Sequence, residues 1–156
     1  MIRVPPIILL NTISDFCIFL FRDVNHQAGS PPHFYVVFPV NAEQDLVVTI
    51  ITSQVDSQKR YYQRIKKDAC DALVPVSQDI LAILKRDRES IVDCNHAELL
   101  TKFELAKRVD QSEPYEIKNC KIPAFFKKDI CAAIRKSPLI SPRLQKMVKE
   151  YLKSLK

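Results

Sequence analysis

Short apolar runs separated by polar turns fill the first half of the chain, a pattern that predicts β-strands. The clearest runs are 15–23 (DFCIFLFRD), 33–40 (HFYVVFPV) and 46–53 (LVVTIITS). The last two are rich in β-branched and aromatic residues and are predicted to form a hairpin around the polar turn at 41–45. Because these two runs are apolar at nearly every position, we expect both faces of their strands to be buried.

The middle of the chain predicts shorter elements. Residues 56–72 are highly charged and indicate an exposed helix or an ordered loop, with Asp56 as a candidate N-cap. Thr101 and Glu104 have capping-box spacing, which predicts a short helix over 101–108. Three further short strands are expected at 73–76, 90–94 and 115–122. Residues 79–84 are expected to form a helical turn or another apolar edge.

From Pro123 onward the apolar residues recur every three and four positions, which predicts amphipathic helices. Ser137-Pro138 ends the first helix, and Ser141-Pro142 begins the second with a serine N-cap and a proline in the first turn. The second helix carries one apolar stripe, formed by Leu144, Met147, Val148, Tyr151, Leu152 and Leu155. Strands followed by helices predict one α+β domain over 1–156, with a barrel core at 14–122 and two helices at 123–156.

Composition excludes several classes of function. The 156 residues contain 10 prolines and a single glycine, Gly29. Dinucleotide fingerprints and phosphate-cradling loops need several glycines, so neither occurs here. The five cysteines are an odd number and form no C-x-x-C pair, which argues against a zinc ribbon or a thioredoxin-type site. We expect no bound metal and no cofactor.

The same features suggest where the protein resides. Free cysteines within apolar runs indicate a reducing compartment. The apolar N-terminus is interrupted by Pro5 and Pro6 and lacks a clear cleavage site, so a secretory signal is not expected. No apolar run approaches the length needed to cross a bilayer. We therefore expect a cytoplasmic protein without a membrane partner.

A net charge of +6 and a sequence pI near 9.1 favour a polyanionic partner, with nucleic acid the most abundant candidate. The stretch 59–67 interleaves cations with two tyrosines, a composition typical of surfaces that pair with phosphates and stack on bases. The candidate nucleic-acid-binding residues are Lys59, Arg60, Tyr61, Tyr62, Arg64, Lys66 and Lys67. The alternative is a solvated helix whose tyrosines pack inward.

Three segments carry a resemblance to a known family. DFCIFLFRDVNHQAGSPPHFYVVFPV, LVVTIITSQ and SIVDCN resemble the opening hairpin, the third strand and a later strand of the MazF/PemK-like toxin endoribonucleases, over roughly residues 14–100. The resemblance implies a small SH3-like β-barrel of five to six strands with a C-terminal helix. It also implies metal-independent RNA cleavage within a toxin–antitoxin system, with RNA, a protein antitoxin and a second copy of the chain as partners.

Candidate catalytic residues follow from this resemblance and from the chemistry of RNA cleavage. Thr52 and Ser53 end a strand at the corner that orients the scissile phosphate in the resembled enzymes. Where that family has an arginine in its first loop, this chain offers His33, a candidate acid or base because histidine titrates near neutrality. Arg60 or Arg64 would supply the cation. Alternatively, Thr52 and Ser53 simply end a strand and begin a turn.

The densest polar cluster in the sequence is Asp93-Cys94-Asn95-His96. A Cys94–His96 dyad would place both side chains on one face of a strand, but no third group is evident. A turn built by Asp93 and Asn95 is the favoured alternative. No histidine spacing indicates a metal site.

Two further hypotheses remain open beside the endoribonuclease. The protein could bind nucleic acid through the same basic surface without cleaving it. It could also dock on a protein partner through the apolar stripe of its last helix, although such stripes usually pack in a core.

Overall fold

The computed structural model describes residues 3–118 and 120–155, and in those residues seven strands form one antiparallel sheet. The sheet order is β4-β5-β3-β2-β1-β7, and β6 lies beside β3. The strands are β1 (Cys17–Phe21), β2 (His33–Pro39), β3 (Leu46–Thr52), β4 (Leu73–Pro75), β5 (Ile91–Asp93), β6 (Glu98–Leu100) and β7 (Glu116–Lys118).

Helices cover both faces of this sheet. They are α1 (Pro6–Leu10), α2 (Val55–Ile65), α3 (Gln78–Ile83), α4 (Lys102–Arg108), α5 (Ala124–Lys136) and α6 (Pro142–Ser154), with short 3₁₀ helices at Lys67–Ala72 and Cys94–His96. Apolar residues of α3, α5 and α6 pack on one face of the sheet, and those of α1 and α4 pack on the other.

The central strands β2 and β3 are buried on both faces, as their continuous apolar runs predict. Alternate residues of β2 enter different cores: Val36 and Phe38 contact the α5–α6 side, and Tyr35 and Val37 contact the α1–α4 side. Phe16 stacks on Phe38 with ring centroids 4.0 Å apart. The predicted hairpin is also confirmed, because β2 pairs with β3 in antiparallel register.

The α+β class and the two C-terminal helices are confirmed, but the closed SH3-like barrel is not shown. In the described residues the sheet is open, since β4 and β7 stand at opposite ends of the strand order. Helices on both faces bury the apolar strands without any need for closure. The sequence analysis did not predict α1 or β6. These elements have five and three residues, respectively, and are too short to show a periodic pattern of apolar residues.

A break in the pairing beside β3 creates an irregular stretch of backbone at the candidate functional site. Val92 of β5 pairs with Ile51, and Glu98 of β6 pairs with Val48. Five residues, 93–97, therefore stand opposite only two residues of β3. The excess loops out as the 3₁₀ helix 94–96, and the Thr49 hydroxyl donates to the Asp93 carbonyl across the gap at 2.6 Å.

The helix ends test two predictions about capping. The prediction that Asp56 is the N-cap of α2 is wrong, because the helix begins at Val55 and its N-cap position is Gln54. The backbone amide of Gln54 donates to Thr52 Oγ1 at the end of β3. At α4 the capping box is confirmed. Glu104 N donates to Thr101 Oγ1, and Thr101 N donates to Glu104 Oε1, at 3.0 and 2.9 Å.

We expect Thr101→Ala to lower the free energy of unfolding by about 1 kcal/mol, because the first turn of α4 loses its side-chain acceptor. Urea denaturation measures this change. Ser154→Ala is the control, since that hydroxyl only donates to a carbonyl near the end of α6. Equal unfolding midpoints for the two variants would contradict the prediction.

The apolar stripe of α6 packs against the core of the protein, as the sequence analysis favoured, and docking on a partner through it stays a prediction. Leu144 and Val148 are buried in the core on the α5 side. The other four residues of the stripe pack against that same core: Met147, Tyr151, Leu152 and Leu155. Across the described part of the chain, no helix combines the length and apolar character needed to cross a membrane.

Candidate functional site

An open cleft of about 830 Å³ lies beside the break in β3. Its walls come from β3, from the 3₁₀ helix 94–96 and the residues after it, from α2, and from the turn between α5 and α6. Two polar groups of residues meet there. The Asp93 cluster comprises Gln58, Tyr62, Asp93, Asn95 and His96, and the Asp23 cluster comprises Asp23, Tyr35, Glu98 and Arg108.

The Asp93 cluster is built around a fully buried carboxylate. Asp93 Oδ2 accepts from Tyr62 Oη at 2.7 Å and from Gln58 Nε2 at 2.8 Å. Burial raises the pKa of the Tyr62 phenol, as does its bond to Asp93, so this hydroxyl stays protonated and donates. Asp93 Oδ2 also lies 3.5 Å from Nε2 of His96, whose side chain is 59% exposed. The result is an imidazole in the cleft with a buried carboxylate beside it.

Asn95 connects this cluster to two other elements. Its Nδ2 donates to the Ala69 carbonyl at 2.9 Å and to Asp93 Oδ1 at 3.1 Å. Its Oδ1 accepts from Ser137 Oγ, at the end of α5, at 2.6 Å. Because Asn95 is buried and bonded on both sides, the backbone that carries His96 is fixed against the α5–α6 turn.

The Asp23 cluster is a chain of charges leading from the interior to the cleft. Asp23 is buried and accepts from both Nε and Nη2 of Arg108, and Arg108 Nη1 donates to Glu98 Oε2 at 2.7 Å. Burial alone would raise the pKa of the Asp23 carboxyl, but the hydrogen bond from Arg108 outweighs it and the pKa is lowered. The Glu98 side chain at the outer end of the chain is 50% exposed.

Tyr35 lines the cleft next to these charges and stacks on Phe21, with ring centroids 4.2 Å apart. The residue is only 5% exposed, and its hydroxyl has no hydrogen-bond partner among the described residues. Burial raises the pKa of the phenol, so the hydroxyl carries its proton at neutral pH. It is therefore a buried donor without an acceptor, which is uncommon in folded proteins.

Comparison with known proteins does not identify the chain. No family model matches it, and neither does any curated protein. Across residues 3–118 and 120–155, no three His, Cys, Asp or Glu side chains are grouped as a metal-ligand set. The arrangement of the cleft itself therefore carries the functional argument.

The structure separates the predicted catalytic residues. Thr52 lines the cleft, whereas Ser53 follows it at the edge and is half-buried. His33 is half-buried and meets His26, a cleft residue, edge-on at 5.4 Å between ring centroids. Burial lowers the pKa of His33, so it is neutral near pH 7. Arg60 lies on the outer side of α2, away from Gln58 and the cleft.

The basic stretch 59–67 is divided in the same way. Arg60 and Arg64 line a separate, smaller groove on α2 with Ser57 and Gln63. Tyr61 is 44% exposed, in keeping with a surface role. The prediction that Tyr62 stacks on a base is wrong, because the residue is 1% exposed and its hydroxyl donates a hydrogen bond to Asp93. The other predicted cations of the stretch are exposed: Lys59, Lys66 and Lys67.

The 93–96 segment forms the predicted turn, and Cys94 and His96 do not form a dyad. Asp93 Oδ1 accepts from the Asn95 amide, which closes the 3₁₀ turn. Cys94 is buried in the core, and burial raises the pKa of its thiol far above the usual value, so no thiolate nucleophile forms there. The sequence analysis missed the contact between His96 and Asp93 and the whole Asp23 cluster.

Proposed function

We propose that this protein is a toxin-like endoribonuclease that binds single-stranded RNA in the cleft and cleaves it without a metal ion. One observation carries the proposal: Thr52, Arg143 and the Asp93-backed imidazole of His96 all line one cleft. The strand segments that resemble the MazF/PemK-like toxins supply Thr52 and Asn95 of this cleft and the buried Asp93 behind it. A protein antitoxin would be the expected regulator.

Cleavage of RNA through its own 2′-hydroxyl needs three groups, and the cleft offers a residue for each. A base removes the 2′-proton, and His96 fits this role because its exposed imidazole lines the cleft with Nε2 3.5 Å from the Asp93 carboxylate. The 2′-oxygen then bonds to phosphorus as the bond to the 5′-oxygen breaks. The departing 5′-oxygen takes a proton, for which His26 is the second imidazole in the cleft.

Charge on the pentacoordinate phosphate must also be stabilised. Arg143 is exposed, lines the cleft from the first turn of α6, and makes no salt bridge in the described part of the chain. Thr52 Oγ1 accepts from the Gln54 amide, which leaves its own proton free for a phosphate oxygen. Arg143 therefore replaces Arg60 as the candidate cation.

The surroundings of the cleft favour a polyanion. Helix α2 contributes Gln58 to one wall and helix α6 contributes Arg143 to another. Both helices carry an excess of cations, namely Lys59, Arg60 and Arg64 on α2 and Arg143, Lys146, Lys149 and Lys153 on α6. Arg143 lines the cleft itself, and the other cations add positive potential to the surface around it, which accelerates association of RNA and strengthens binding at low salt.

The test is cleavage of end-labelled single-stranded RNA in the presence of a chelator. We expect products with a 2′,3′-cyclic phosphate and a 5′-hydroxyl. His96→Ala is expected to lower the cleavage rate by about 10²–10⁴-fold, because it removes the base. Arg143→Ala should also slow cleavage, whereas Arg88→Ala, an exposed arginine outside the cleft, should cleave at the parent rate.

Thermal melts of each variant verify that the fold is retained. Parent-level cleavage by folded His96→Ala would contradict the assignment of the base. RNA binding by the parent without any product would overturn the enzyme and leave a nucleic-acid-binding module, for which the exposed cations of α2 provide a surface. In that case binding should weaken steeply with salt, and Arg60→Ala and Arg64→Ala should reduce the slope.

A further inference from the structure

We infer that the Asp23 cluster forms a base-recognition subsite that selects a guanine in the bound RNA strand. The inference rests on the proposed function, since it concerns the same cleft. Tyr35 supplies a hydrogen-bond donor to the base, and Glu98 supplies an acceptor. Arg108 and Asp23 hold the Glu98 carboxylate in place.

The first reason is the unpartnered hydroxyl of Tyr35. Its ring is fixed by stacking on Phe21, and its donor finds no acceptor although three charged residues stand near it. Burying an unpaired hydroxyl costs stability, so its retention in a cleft suggests that a ligand completes it. Tyr35 and Glu98 both line the cleft, so a base bound to the Glu98 carboxylate can offer the Tyr35 hydroxyl an acceptor.

The second reason is the way Glu98 is held. An exposed glutamate is ordinarily free to move, but here Arg108 binds one of its oxygens, and the buried Asp23 carboxylate fixes Arg108 in turn. A carboxylate has about four acceptor sites, and Arg108 occupies one of those on Glu98. Glu98 Oε1 accepts no bond from the described residues, so the carboxylate presents positioned, unused acceptors to the cleft.

The cluster fits a neutral base better than a phosphate. Two carboxylates and one guanidinium leave it with a net negative charge, which would repel an anion. Val48 and Ile50 of β3 line the same cleft and add apolar surface beside the cluster, which suits a base better than a phosphate. Single-stranded RNA exposes the Watson–Crick edges of its bases to contacts of this kind.

Guanine matches the donor and acceptor pattern. Its N1–H and N2–H₂ groups lie side by side and can both donate to one carboxylate, and its adjacent O6 can accept from a hydroxyl. Adenine and cytosine lack the ring N–H, and uracil lacks the amino group. A bidentate contact of this type discriminates between bases by about 1–3 kcal/mol, or roughly 5- to 150-fold.

The experiment measures binding apart from cleavage. We use 2′-fluoro heptanucleotides, which lack the nucleophilic hydroxyl, with one central guanine, inosine, adenine or uracil in a uracil tract. Fluorescence anisotropy gives the Kd of each. We expect guanine to bind at least about tenfold more tightly than adenine or uracil, and inosine, which lacks the amino group, to fall between them.

Two variants locate the selectivity. Tyr35→Phe is expected to weaken guanine binding by about three- to tenfold while leaving thermal stability unchanged or raised, because it removes an unpaired hydroxyl. Glu98→Gln is expected to abolish the preference for guanine over inosine. Matched controls are Tyr115→Phe, whose hydroxyl donates to the Val4 carbonyl, and Glu116→Gln, a 55%-exposed glutamate paired with Lys118. Both controls should retain the parent preference.

The outcomes separate the two proposals. Binding of all four oligonucleotides with equal Kd would overturn the guanine subsite and leave the endoribonuclease intact. A guanine preference that survives both Tyr35→Phe and Glu98→Gln would also overturn the subsite, because the selectivity would then lie elsewhere. Failure of the parent protein to bind any of the four would overturn both the proposed function and the subsite.

Discussion

Asp93→Ala is expected to lower the free energy of unfolding by about 3–4 kcal/mol, a large fraction of the stability of a domain of this size. The substitution removes the acceptor for Tyr62 Oη, Gln58 Nε2 and Asn95 Nδ2, at a position that is fully buried. Donors left unpaired in the interior keep their desolvation cost without any compensating bond. Urea denaturation followed by circular dichroism measures the change.

Controls for this prediction come from the same part of the chain. Asp68→Ala removes an exposed carboxylate from the neighbouring 3₁₀ helix and should change stability by less than about 0.5 kcal/mol. Tyr62→Phe removes one donor while Asp93 keeps the others, and we expect a loss of about 1–2 kcal/mol. If Asp93→Ala were no more harmful than Asp68→Ala, the cluster would not support the fold as described.

Arg108→Met is expected to lower the free energy of unfolding by about 3–5 kcal/mol at neutral pH. The aliphatic part of the side chain is kept, but Asp23 loses its cation. Asp23 is 1% exposed, and among the described residues its carboxylate would retain only the hydrogen bond from the Asn25 amide. Lys118→Met is the control, because its partner Glu116 is largely exposed and such pairs contribute little, about 1 kcal/mol or less.

The loss caused by Arg108→Met should depend on pH in a defined direction. In the parent protein the pKa of Asp23 is lowered, so its stabilising contribution is present above the ordinary aspartate value and disappears as pH falls through the folded-state pKa. In the variant the bonds from Arg108 are gone and burial, the largest single influence on this group, raises that pKa, so stability is lost as pH rises through it. The difference between the two proteins should therefore be largest at pH 7 and shrink towards about pH 4. A difference independent of pH would show that Asp23 is not its source.

Much of the framework could be predicted because its signals are local. The apolar runs of β2 and β3 gave the correct strand bounds to within a residue or two, and the capping-box spacing of Thr101 and Glu104 gave the start of α4. Pro142 after Ser141 fixed the start of α6 in the same way. Strand propensity, turn chemistry and capping act over a few residues and leave a readable pattern.

The site could be predicted only in part because its contacts are distant in the sequence. Thr52 was found from the end of a strand, but Asp23 and Arg108 are separated by 85 positions and share no motif. The turn at Asp93 was predicted, but no sequence pattern near it indicates that Tyr62 and Gln58 donate hydrogen bonds to its carboxylate. Arg60 was assigned to the site from composition, whereas it lines a groove apart from the cleft, because a basic helix shows its composition in the sequence but not which side faces a cleft.

The unequal chain lengths beside β3 let one short segment serve both the fold and the cleft. The pairs Val92–Ile51 and Glu98–Val48 hold the flanking strands. A chain shortened by three residues at this point could run from β5 into β6 as one uninterrupted strand. Such a chain would lose the bend that places His96 at the cleft, together with the buried Asp93 and Asn95 side chains that anchor it.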